Sequence, residues 1–179
     1  MTRNSQPLSS EYILLGALLQ KPMHGYDLYK YLNTDPVINQ IWTVKQSMMY
    51  AMLEKLESLG LVESRIVDSG TLPVKREYHV SGVGENAFMD WMTTPVERPR
   101  EIRVEFLAKL SFLLRLDRDQ ARILLVRQRD ICNQWLEIHQ QHSAESEDDP
   151  TLKVVLDYKQ SQMESILNWI DFCIQGVTV

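Results

Sequence analysis

Thr43, Lys45, Gln46, Ser47 and Tyr50 gather two hydroxyls, an amide, an ammonium and a phenol within eight residues, directly ahead of an apolar stripe. Groups of this kind hydrogen-bond to phosphate oxygens and to the edges of bases, so the chemistry they suggest is recognition of nucleic acid. The stripe itself, Met49, Met52, Leu53, Leu56 and Leu59, recurs at three- and four-residue steps. That spacing predicts an amphipathic helix over Thr43–Leu59 with its polar front at the N-terminus, where the helix dipole favours an anion. Tyr26 and Lys21 lie upstream and Lys75 and Arg76 downstream, and all four could reach phosphates beside the same front.

Other groups point to chemistry that their context does not support. Gly82, Gly84 and Ala87 match a GxGxxA dinucleotide fingerprint, but a proline-rich break and further helices follow where a second parallel strand with an acidic residue is required. His139 and His142 stand three apart with no nearby third ligand, and read as polar positions at a helix end. Cys132 and Cys173 sit within helical patterns and read as small core residues rather than a disulfide framework or zinc site. No nucleophile and base, and no pair of carboxylates, is spaced for catalysis. The expectation is a protein that is not an enzyme and uses no cofactor or metal.

The elements around the polar front give it a setting. A helix capped near Ser9 or Ser10 runs through Tyr12, Ile13, Leu15, Leu18 and Leu19 and stops before Pro22. Gly25 marks a turn, and a second helix carries Leu28, Tyr29 and Leu32 on one side. The helix with the polar front comes third. Gly60 suits its C-terminus, after which LVESRIV and VKREYHV read as two strands joined by the turn DSGTLP. Three helices and a hairpin describe a winged helix-turn-helix, in which the third helix enters the major groove and the hairpin lies along the backbone.

Ser81 caps the next helix, which passes through Phe88, Trp91 and Met92, and TTPVERPRE then interrupts the helical pattern. These signals divide the chain into a winged helix-turn-helix over 1–92, a linker over 93–100 and a helical domain over 101–179. In the last of these, Phe106, Leu110, Ile131, Trp135 and Ile138 lie on helical seams, and Leu156, Met163, Ile166 and Ile170 repeat a seam in the final helix. The expected fold class is mainly α with a small β-hairpin, the C-terminal helices forming an antiparallel hairpin that also pairs with a second subunit. Trp42, Trp91, Phe106 and Trp135 are aromatic candidates for an apolar cavity that takes a small apolar or aromatic effector.

Charge restrains this reading. The chain of 179 residues carries 19 Lys and Arg against 24 Asp and Glu, and residues 1–92 alone hold 8 against 10. Binding to DNA must therefore rest on a few placed cations rather than on a basic surface. The same acidity keeps open a different function, a winged-helix protein-interaction or effector-binding module that does not touch DNA. No apolar run is long enough to span a bilayer and the N-terminus has no signal-peptide core, so a cytoplasmic protein without a membrane partner is expected.

PMHGYDL, SMMYAMLEKLESLGLVES and VKREYHVSGVGENAF together resemble the PadR-type transcriptional regulators. VERPREIRVEFLAKLSFLL resembles the connector of the subgroup with a long C-terminal helical domain, which includes the AphA-like virulence activators. The resemblance implies a homodimeric regulator binding double-stranded DNA, more often a repressor than an activator, with paired wings and third helices on a pseudo-palindromic operator. It also implies tyrosines close to DNA, at Tyr26 and Tyr50.

Overall fold

The computed structural model describes residues 9–67, 75–144 and 149–177. Helix α1, Ser9–Gln20, buries Ile13, Leu14, Leu15, Ala17 and Leu18 almost completely, so it is enclosed on several sides. Gly16 is needed there, because a Cβ at this position would lie 2.5 Å from Cζ of Phe112 and 2.8 Å from Cε2 of Phe88. Lys21 and Pro22 end the helix. A two-residue strand β1, Met23–His24, leads into α2, Gly25–Thr34, which buries Leu28 and Leu32. Asp35 then folds the chain back, its Oδ1 accepting from the amides of Val37 at 2.9 Å and Ile38 at 2.8 Å. The four-residue helix α3, Ile38–Ile41, follows.

Helix α4, Gln46–Ser58, buries Met49, Met52, Leu53 and Leu56. The expected helix over Thr43–Leu59 is thus shorter at its front, and with α3 inserted it is the fourth helix rather than the third. Thr43 to Lys45 precede it in non-helical backbone, with the β-branched Val44 buried as an anchor and Lys45 extended at φ −76°, ψ 145°. Gly60 closes α4 at φ +70°, a left-handed conformation that glycine adopts without strain.

Strands β2, Val62–Val67, and β3, Lys75–Val80, form the expected antiparallel pair in a register running from Val62 opposite Val80 to Val67 opposite Lys75. The turn expected at 68–73 lies outside the described residues. β1 adds to the free edge of β3, with Met23 opposite Tyr78 and His24 opposite Glu77, so the sheet has three strands in the order β1-β3-β2. Helix α5, Gly82–Thr93, starts on Ser81, whose Oγ accepts from the Gly84 amide at 3.0 Å and donates to the Gly60 carbonyl at 2.6 Å. A Cβ at Gly84 would strike the Leu61 carbonyl. The second glycine of the apparent dinucleotide fingerprint is therefore a packing requirement of the wing.

A 3-10 turn at Pro99–Glu101 and a π-helical stretch at Ile102–Phe106 lead into α6, Leu107–Leu116. The chain divides into two compact units. The first spans residues through Thr94 together with Arg103–Phe112, and the second comprises Pro95–Ile102 and Leu113–Val179. In the first unit, Lys109 is 2% exposed and its Nζ meets Glu105 Oε1 and the Thr94 carbonyl, each at 2.8 Å. Trp91 donates Nε1 to the same Glu105 oxygen at 3.0 Å and stacks on Tyr12 with ring centroids 5.0 Å apart. Phe88 meets Phe112 edge to face at 5.3 Å.

In the second unit, α7, Arg118–Ala144, and α8, Pro150–Val177, pack as an antiparallel hairpin. His139 bonds to the Leu156 carbonyl at 2.9 Å near one end, and Arg129 faces Asp171 at 3.8 Å further along. Buried Gln128 joins α7 to the connector through both its oxygen and its nitrogen, accepting from the Val96 amide at 2.8 Å and donating to the Val96 carbonyl at 3.0 Å. Among the described residues, no helix is long and apolar enough to cross a membrane.

Candidate nucleic-acid interface

Gln46 and Ser47 form the exposed first turn of α4, with exposed Thr43 and Lys45 just ahead of it. Lys45 stands at the N-cap in extended backbone, and its side chain makes no capping hydrogen bond, at the end of the helix where the dipole is positive. Lys21 is exposed between α1 and β1. Tyr26 is 63% exposed at the second position of α2.

Tyr50 is half-buried and fits against α2. A Cβ on Gly25 would come within 2.5 Å of its Cε1 and 2.8 Å of its Oη, so the ring lies directly on the glycine backbone. Tyr50 therefore joins α4 to α2 while its other face is partly open.

The wing is tied to the last turn of α4 and to the start of α2. Arg76 on β3 approaches Glu57 of α4 at 3.8 Å, and Ser64 on β2 donates to Glu57 at 2.5 Å. His24 Nδ1 donates to the Arg76 carbonyl at 3.2 Å, one residue before α2 begins. Tyr78, 5% exposed, lies in the same cluster. Burial pushes its phenol above the ordinary tyrosine value, while a hydrogen bond from Arg76 works in the opposite direction. Glu57, Ser64 and Tyr78 are members of this cluster that sequence reasoning missed, and nothing in their local pattern signals the long-range pairing. Lys75 is the first residue of β3 and pairs with Val67, but its side chain lies outside the described residues.

Of the four aromatic residues expected to line an effector cavity, Trp91 and Phe106 are packed into the first unit, at 8% and 0% exposure. Their surfaces are already taken up by Tyr12, Glu105 and the surrounding core, so they do not line an open cavity. Trp42, at the end of α3, and Trp135, on α7, are half-buried. A depression of about 440 Å³ on α7 is lined by Asp119, Arg122, Ile123, Val126 and Arg127, none of them among the four.

The expected dimer seam divides in the same way. Phe106, Leu110, Met163 and Ile170 are buried within the single chain and have almost no surface to give a partner. Ile131, Trp135, Leu156 and Ile166 are half-buried, and Ile138 is exposed. Among the described residues, no cluster of three or more metal-ligating side chains occurs. His142 bonds to the Ile138 carbonyl at 2.8 Å, as His139 does to that of Leu156.

Residues 14–90, from α1 to α5, match the model of the Transcriptional regulator PadR-like family. The Negative transcriptional regulator PadR of Bacillus subtilis (strain 168) is 30% identical over 111 residues, 62% of this chain and 60% of the relative, so the match spans less than two thirds of that protein. Overall likeness to solved structures is weaker. The crystal structure of Bacillus subtilis PadR in complex with operator DNA aligns over 95% of this chain and 99% of that one, with 24% identity and a TM-score of 0.48. The Vibrio cholerae virulence activator AphA aligns over 94% and 93%, with 20% identity and a TM-score of 0.41. The likeness to the PadR-like family of transcriptional regulators thus lies in residues 14–90, from α1 to α5, which make up less than half of the chain.

Proposed function

We propose that this protein is a homodimeric, sequence-specific DNA-binding repressor acting on a pseudo-palindromic operator, with DNA contacts from residues 1–92 and dimer contacts from the helices after the 93–100 connector. The observation that carries the reading is a helix, α4, with an exposed polar front and a last turn that meets a wing strand through Glu57 and Arg76. A winged helix needs this arrangement to lay one helix in the major groove while its hairpin follows the phosphates. Thr43, Lys45, Gln46 and Ser47 supply the helix-side contacts, Lys21, Tyr26 and Tyr50 flank them, and Lys75 and Arg76 serve the wing. The repressor sense follows the negative regulator of Bacillus subtilis.

A second copy is the fitting cover for α8, which exposes Leu152, Val154, Val155 and Tyr158 near its start and Phe172 at 73% near its end. An effector that relieves repression belongs to the same reading.

The test is selection of duplexes from a pool of genomic fragments by the purified full chain, followed by binding at several salt concentrations. Affinity that falls steeply with salt, on sites with two related half-sites, is the expected result. Recovery of no duplex, or salt-insensitive association, would favour a winged-helix protein-interaction module, which the excess of acid over base in residues 1–92 would suit.

A further inference from the structure

With Met49, Met52, Leu53 and Leu56 turned into the core, the opposite side of α4 runs through Ser47, Ala51, Glu54 and Ser58, all exposed. Met48 stands beside that line at 55% exposure. None of these side chains carries a positive charge. The one cation within α4, Lys55, donates to both oxygens of Glu11 at 3.0 and 2.8 Å. The outward face of the helix therefore has no donor for the bidentate cationic contact that reads guanine O6 and N7.

What the first turns of this face do present is the short side chains of Ser47 and Ala51, which permit close approach, and one flexible, polarizable thioether. The major groove displays a single apolar group to which a thioether and an alanine methyl are matched, the C5-methyl of thymine. We propose that Met48, with Ala51 beside it one turn on, packs against thymine methyls and biases each operator half-site toward thymine under the first turn of α4. This rests on the reading of α4 as the helix that enters the groove.

The test uses full-length protein and a duplex it selects from a randomised pool, remade with deoxyuridine in place of each thymine in turn. Deoxyuridine keeps every pairing edge and removes only the methyl. Wild type and Met48→Leu should lose about three- to fivefold in affinity at one or two positions per half-site, the worth of one buried methyl. Met48→Ser, a change at an exposed position that leaves the core intact, should bind thymine and deoxyuridine duplexes alike.

Equal affinity of wild type for thymine and deoxyuridine at every position would overturn the proposal and leave the regulator reading standing. A deoxyuridine penalty that persists unchanged in Met48→Ser would assign the methyl contact to another residue and also overturn it. Failure to select any duplex would overturn both.

Discussion

Lys55 on α4 donates to both carboxylate oxygens of Glu11 on α1, and Glu11 is only 3% exposed. The pair joins α4 to the heavily buried α1. Removing the ammonium takes the charge of Lys55 away from a buried carboxylate. Lys55→Met should destabilise the protein by about 2–4 kcal/mol, the Lys55 side chain being 27% exposed and partly screened. Adding Glu11→Leu should recover most of the loss. Urea denaturation of the two variants checks this, and a double variant no better than the single one would contradict it.

Gly25 and Tyr50 are in contact with no room for a further carbon. Gly25→Ala should cost about 1–3 kcal/mol by forcing the ring outward, an overpacking penalty. Tyr50→Ala alone should be milder, and in combination should cancel much of the Gly25→Ala effect. Thermal unfolding of the three variants measures the coupling.

Arg76 has Glu57 for company at 3.8 Å and is still 58% exposed, so a phosphate would have to compete with that carboxylate. Glu57→Gln should tighten DNA binding several-fold by removing the competitor and a like charge to DNA. Arg76→Ala should weaken it and lower the slope of log affinity against log salt by about 1. Titrations at three salt concentrations distinguish these outcomes from a purely structural role, which would leave the slope unchanged.

Burial pushes the Cys132 thiol up to about 11 from its ordinary value of 9.0, with a hydrogen bond from Gln128 opposing the rise. A thiol held neutral by folding stabilises the protein fully below pH 9 and loses that contribution as pH climbs toward 11. The loss amounts to about 2–3 kcal/mol. Cys132→Ala should be less stable at neutral pH and show a flatter decline over that window. In native protein, a thiol reagent should modify half-buried Cys173 well before Cys132.

The parts visible in the sequence were those written in local pattern. The α4 stripe, the Gly60 terminus, the Ser81 cap and the paired strands each follow from a few neighbouring residues, and each is present. β1 was not legible, since two residues carry no periodicity and its existence depends on an edge of β3 more than 50 positions away. The shortened front of α4 reflects the burial of Val44, which only the fold determines. The links of Glu11 to Lys55 and Glu57 to Arg76 join charges far apart in the chain, and no spacing rule reveals them.

Edge pairing of β1 with β3 has a mechanical consequence. The peptide that begins α2 is hydrogen-bonded to the strand that bears Arg76, and α4 clasps that strand through Glu57. The root of the wing is thereby tied from two directions. A disturbance reaching either helix would carry the hairpin with it, so the wing should move as a whole rather than strand by strand.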